Sequence, residues 1–237
     1  MKKYVYIALF AVILIAFMFG ICCYLLVTAS YVDNSLYILE GKTICIDAGH
    51  GGKDPGKVGN IKNEDDLNLY VTLKLKDILM SMGANVVLTR DSENGLYEDG
   101  SLVWRKKDDM KIRREIIKES NCDILISIHM NSHTDNSRGA GVLYLKDHEK
   151  SELLAKRIKE QLDNTSKYSK ERNIEPHDDL YILKNDNIPS VLIECGFMSE
   201  ANEEKLLNDE EYQKQLSNYI ALGVVKYFYN NDFTHNK

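Results

Sequence analysis

The stretch Thr43–Gly52, Thr-Ile-Cys-Ile-Asp-Ala-Gly-His-Gly-Gly, constrains this chain more than any other part of it. Thr43, Ile44 and Ile46 are β-branched, and no charge interrupts the run before Asp47, so it reads as a short buried strand. Gly49, Gly51 and Gly52 then let the backbone turn sharply around His50 and leave its imidazole uncovered. In α/β folds, chemistry gathers at the carboxyl ends of strands. His50 is therefore either a surface histidine in a turn or a functional group, and the rest of the chain must separate the two.

A strand-then-helix rhythm follows. Asn63 is placed to cap a helix whose first turn holds Glu64, Asp65 and Asp66, where the helix dipole favours acids. Leu67, Val71, Leu75, Ile78, Leu79 and Met82 fall on one helical face, Gly83 is a stop, and Asn85–Thr89 is a second strand. Such a β-α-β start favours a parallel sheet with right-handed crossovers. Arg90–Lys107 is polar and reads as an exposed loop around Trp104. A helix from Asp108 or Asp109 turns Ile112, Ile116 and Ile117 inward, and Asp123–Ile128 is a third buried strand ending at His129. Gly141–Leu145 reads as a strand, Ser151–Leu162 as an amphipathic helix and Thr165–Asp178 as a charged loop. Leu180–Leu183 and Ser190–Ile193 read as the last two strands. Helices over Asn202–Leu207 and Glu210–Tyr229 close the chain, with a frayed tail past Asn230. The expectation is one α/β domain over residues 42–230, with a mostly parallel sheet of about six strands.

With 237 residues, 44% of them hydrophobic, the chain can bury a sizeable core. A formal charge of −6 without a basic patch argues against nucleic acid as a partner, and the absence of repeats argues against solenoids or tandem wall-binding modules. Lys2 and Lys3 precede an uncharged run, Tyr4–Val32. Its core, Tyr6–Val27, is close to the ~20 residues a bilayer span needs and exceeds the ~7–15 of a signal peptide's apolar region. The two lysines should stay in the cytoplasm and send the remainder outside. An uncleaved anchor over residues 1–32 with a linker over 33–41 is expected. A cleaved signal is the alternative, with Val27-Thr28-Ala29 as its site, and both place the domain outside the cytoplasm. Cys45, Cys122 and Cys195 have no Cys-x-x-Cys spacing and read as buried small hydrophobes, although a Cys45–Cys195 bridge stays open.

His50 and His129 thus stand at strand ends, and Glu64 opens the helix after the His50 loop. Two histidines and a carboxylate are one of the sets that hold catalytic zinc and leave a fourth position for water. Taken singly, Glu64 reads as a helix-start carboxylate, and His129 as either a capped core histidine or a ligand; their joint presence in a βα framework favours metal. Glu194 follows Val191-Leu192-Ile193 directly, so its carboxyl should be desolvated and its pKa raised toward that of a general base. A buried glutamate paired to a lysine or to backbone amides is the alternative.

Four blocks now stand in order: Ile46–Gly52, Glu64-Asp65-Asp66-Leu67-Asn68-Leu69, Ser127-Ile128-His129-Met130-Asn131 and Leu192–Ser199. Together they resemble the zinc-dependent N-acetylmuramoyl-L-alanine amidases of the type 3 family, over about Lys42–Tyr229. Thr89-Arg90-Asp91 and Arg113 also fit the family's connecting region. The resemblance implies a single α/β domain with a mixed sheet, helices on both faces and one Zn²⁺ per chain. It implies hydrolysis of the amide between the lactyl group of N-acetylmuramic acid and the L-alanine of the peptidoglycan stem peptide. His50, Glu64 and His129 would be zinc ligands, Glu194 the catalytic acid/base, and Asn131 a substrate-orienting group beside the metal. A lone catalytic domain on an anchor is similar to the spore-cortex and germination-specific branch. That branch implies a role in muramic δ-lactam formation alongside a polysaccharide deacetylase, with the domain between mother cell and forespore. Loop-borne ligands lack the rigidity of a single helix, which makes an exported activator protein a reasonable partner. Arg90–Lys107 is longer than the family minimum, and Glu200 stands where Asn is common. An exported peptidoglycan-binding module without activity and a zinc peptidase of the stem peptide are the competing readings.

Overall fold

A computed structural model describes residues 2–96, 106–133, 137–166, 169, 172–184 and 188–232. It divides the chain into two units, Met1–Ile38 and Leu39–Lys237. The first is the helix α1, Lys2–Leu36, whose segment Lys3–Leu26 has a mean hydropathy of 2.8 and is long and apolar enough to cross a membrane.

The second unit is a six-stranded sheet between helices. Its elements are β1 (Thr43–Ala48), α2 (Glu64–Ser81), β2 (Asn85–Leu88), α3 (Lys106–Glu119), β3 (Ile124–Asn131) and β4 (Gly141–Leu145). Then come α4 (Glu149–Leu162), β5 (Ile174–His177), β6 (Ser190–Phe197), α5 (Ala201–Leu207) and α6 (Glu210–Asp232). The strand order is β2-β1-β3-β6-β4-β5. β2, β1, β3 and β6 run parallel, β4 meets β6 antiparallel, and β5 pairs parallel to β4. The sheet is therefore mixed.

Alternation along the strands assigns the two faces. Ile44, Ile46, Ile124, Ile126, Ile128, Val191 and Ile193 pack with Leu67, Val71 and Leu75 of α2, Leu154 and Ile158 of α4, and Leu216, Ile220 and Val224 of α6. The opposite face is thinner: Cys45, Leu125, Leu143 and Leu192 meet Ile117 of α3 with Ile182 and Leu183. Both strand faces being apolar is what a covered parallel sheet requires. The polar residues of the thinner face, Asp47, Ser127, His129 and Glu194, are thereby directed toward α3's side.

Four readings of the sequence need correcting. Leu180–Leu183 is not a strand; Tyr181–Leu183 is a single 3₁₀ turn. A four-residue apolar run cannot be told from a short buried helix by periodicity. The edge strand β5 lies instead in the expected charged loop, where Pro176 and a single isoleucine disguise it. Asn63 does occupy the cap position of α2, but its side chain makes no capping bond. Cys45 and Cys195 are free thiols, so the bridge left open does not form. Trp104 lies outside the described residues.

Candidate metal centre

β1 ends at Ala48, and the chain turns through Gly49 into His50, which adopts φ 61°. A left-handed conformation at a residue with a Cβ costs roughly 1 kcal/mol or more and persists only where its surroundings hold it. Two buried arginines do so. Arg113 of α3 donates to Ala48 O at 2.6 Å and to the His50 carbonyl. Arg90, just past β2, donates to Ala48 O and Gly49 O, both at 2.9 Å, and to Asp65 O at 2.8 Å. Asp47 neutralises Arg113 at 2.8 Å and accepts from Thr89 at 2.7 Å and Ser127 at 2.6 Å. Burial alone would raise the Asp47 carboxyl, but Arg113 and the hydroxyls more than offset it and hold it at about 2.

Glu64 enters as the first residue of α2, and its Oε1 lies 3.0 Å from His129 Nδ1 and 3.2 Å from His50 Nε2. One ligand atom from each of the three residues falls within 4.8 Å of the others. Glu64 Oε2 accepts from Lys57 N at 2.9 Å, and Oε1 from Met130 N at 3.3 Å, which fixes the carboxylate's orientation. Burial would raise Glu64's pKa, but the two imidazoles outweigh it and hold the carboxyl well below the usual range. For His50, burial favours the neutral ring, while Glu64 and Asp54 together raise its pKa. The glycines around the site leave room for the rings. A Cβ at Gly49 would collide with the His129 imidazole, and one at Gly56 would lie 2.6 Å from Glu64 Oε2.

His129 lies inside β3 rather than beyond it, because pairing with β6 runs on to Asn131 through a register shift. That pairing makes His129 and Glu194 direct neighbours. Glu194 Oε2 is buried and has no hydrogen-bond partner among the described residues. Desolvation pushes its carboxyl up to about 6, against the pull of the nearby histidines. Asn131 is at the end of β3, and its Oδ1 accepts from Ser132 N at 2.7 Å, a local contact. Beside these three residues is a cavity of about 190 Å³, lined by His50, Asp54, Met110, Leu180, Ile182 and Leu192 among others.

Two imidazoles and a carboxylate whose donor atoms converge, with glycine-made space around them, fit a zinc ion with an open fourth position. Sequence reasoning did not single out Asp54, whose Oδ2 lies 2.9 Å from His50 Nδ1, nor the tasks of Asp47, Arg90 and Arg113. An acid within an apolar strand was the available signal for Asp47, since a buried carboxylate needs a partner.

A family profile described as N-acetylmuramoyl-L-alanine amidase matches residues 44–226. The chain belongs to this amidase family. Among curated relatives, the germination-specific N-acetylmuramoyl-L-alanine amidase of Bacillus subtilis is 34% identical over 197 residues, 80% of this chain and 81% of that protein. Among solved structures, the CwlD amidase of Clostridioides difficile, determined in complex with the GerS lipoprotein, shares 42% identity at a TM-score of 0.76. That match covers 79% of this chain and 98% of CwlD. The catalytic domain of the amidase CwlV from Bacillus (Paenibacillus) polymyxa matches with 28% identity and a TM-score of 0.67. It covers 79% of this chain and 98% of the CwlV domain. The resemblance drawn from the four sequence blocks, the amidase activity and the mixed α/β fold all hold.

Proposed function

We propose that this amidase is zinc-dependent, with His50, Glu64 and His129 as the ligands and Glu194 as the acid/base. The observation that carries the reading is the meeting of three donor atoms within 4.8 Å beside Glu194, the cross-strand neighbour of His129. When bound, the ion supplies positive charge for the amide oxygen and acidity for a water molecule. The chain's own residues do the rest. Glu194, with a buried oxygen that has no partner among the described residues, accepts the water's proton while holding it in line with the lactyl carbonyl. It then delivers that proton to the departing alanine nitrogen. Arg90 and Arg113 keep the His50 backbone in place, and Asp54 orients its ring. Asn131 is kept as a substrate-orienting group.

The extracytoplasmic location, on an anchor over residues 1–32 or after its cleavage, is supported by the apolar helix and by a cell-wall substrate. A 33–41 linker, a catalytic domain over 42–230 and a 231–237 tail complete the organisation. A spore-cortex role, upstream of a deacetylase in muramic δ-lactam formation, is supported by the likeness to the germination-specific amidase. The CwlD–GerS complex supports an exported activator protein as a partner.

The test is Glu194→Gln. The variant should keep one zinc per chain and lose about 10²–10⁴ of its turnover on purified muropeptides. Wild-type turnover by the variant would refute the role given to Glu194, and products lacking a new amino-terminal alanine would point to a peptidase.

A further inference from the structure

Across the sheet, His129 pairs with Glu194, and Glu194 pairs with Gly141 of β4. Register partners project from the same face, on strands roughly 4.8 Å apart. The three positions form a row whose last seat has no side chain of its own. Arg172, from the segment before β5, fills it: a Cβ at Gly141 would lie 3.5 Å from Arg172 Nε and 3.6 Å from Nη2. The guanidinium stacks on Phe197, 5.3 Å from the ring centroid, and Nη2 donates to Glu175 Oε1 at 2.7 Å. Its Nε is buried and has no hydrogen-bond partner among the described residues. The Glu175 pair is at a partly exposed sheet edge, where ion pairs contribute little and yield readily.

We propose that Arg172 is a specificity determinant whose guanidinium binds the free α-carboxylate of the residue following L-alanine in the stem peptide. This rests on the amidase reading of the site. With the scissile amide against His129 and Glu194, that carboxylate lies one residue further along the leaving peptide. From the scissile nitrogen it is roughly 6 Å away in an extended chain, a little more than one strand spacing. Glu194 and Glu175 would repel an anionic peptide here, and Arg172 offsets them. The planar fork of a guanidinium matches a carboxylate through two parallel hydrogen bonds. A carboxamide at the same position turns an NH₂ toward those donors and loses one bond and the charge. Arg172 therefore selects stems with the free acid over amidated ones.

The experiment compares two muropeptides that differ only in a carboxylate or a carboxamide at that position. The full-length protein should cleave the carboxylate form with kcat/KM about tenfold higher or more. Arg172→Gln should abolish the preference, mainly through KM, with bound zinc and Tm unchanged; Arg172→Lys should retain part of it. Equal use of both substrates by the wild type overturns the proposal, as does an intact preference in Arg172→Gln. If Arg172→Gln does not fold, the wild-type comparison and Arg172→Lys still decide it. A zinc-loaded wild type that cleaves neither substrate overturns the amidase reading itself and this proposal with it.

Discussion

Replacing Arg113 by Met tests whether the charge network beneath the site holds the domain together. Arg113 is 1% exposed and reaches from α3 to Asp47, which is 2% exposed. The substitution keeps much of the stem's volume but leaves Asp47 buried without its counter-ion, and leaves Asp109 without the 2.7 Å bond from Arg113 Nε. Breaking a buried pair from one side costs about 3–5 kcal/mol. For a domain of this size that lowers Tm by on the order of 10 °C. The pH dependence carries the sharper signature. In the wild type, the Asp47 carboxyl is held at about 2 against an ordinary 3.8. A depressed carboxyl contributes stability that is fully present above the ordinary value and is lost as pH falls from about 3.8 through about 2. At about 1.36 kcal/mol for each tenfold in proton affinity, this contribution is roughly 2 kcal/mol. Without Arg113 the largest pull against burial is gone, leaving the hydroxyls of Ser127 and Thr89 and the nearby His129, and the carboxyl moves up. Protonation then relieves the variant. The wild-type advantage should be largest near neutral pH and shrink by a few kcal/mol at about pH 3. Thermal unfolding followed by circular dichroism between those values measures it. A deficit below about 1 kcal/mol at neutral pH, or one that does not change with pH, would refute the reasoning.

Two further predictions come from local geometry. Gly49→Ala puts a Cβ into the His129 imidazole, so zinc affinity measured by chelator competition should fall at least about tenfold in a folded protein; wild-type affinity would show that the ring has room to move. Glu200 caps α5 by accepting from Asn202 N at 3.1 Å and Glu203 N at 3.0 Å, so Glu200→Ala should cost about 1 kcal/mol and Glu200→Asn should restore most of it, read from Tm.

Glu200 also shows why a departure from a family pattern need not disturb chemistry. Its side chain does a capping task that an asparagine performs equally well, which position along the chain could not reveal. The helices were legible because α2, α4 and α6 bury one face each, and a period of 3.6 survives in the sequence. The short elements were not. β5 carries a proline and sits at an edge, and Tyr181–Leu183 is too short for any period to be expressed.

Local chemistry was enough to single out His50, Glu64, His129 and Glu194 as candidates, because in the sequence each is a polar group that follows an apolar strand run or opens a helix. The sequence alone also determined the strand β1, the apolar helix α1 and the family. Only the tertiary structure decided that Arg90 and Arg113 grip the turn around His50, and that Arg172 occupies the seat Gly141 leaves beside Glu194. Those contacts join residues from 31 to 65 positions apart in the chain. Their partners are backbone carbonyls, which every residue has, and the space over a glycine, so side-chain identity has no means of recording them.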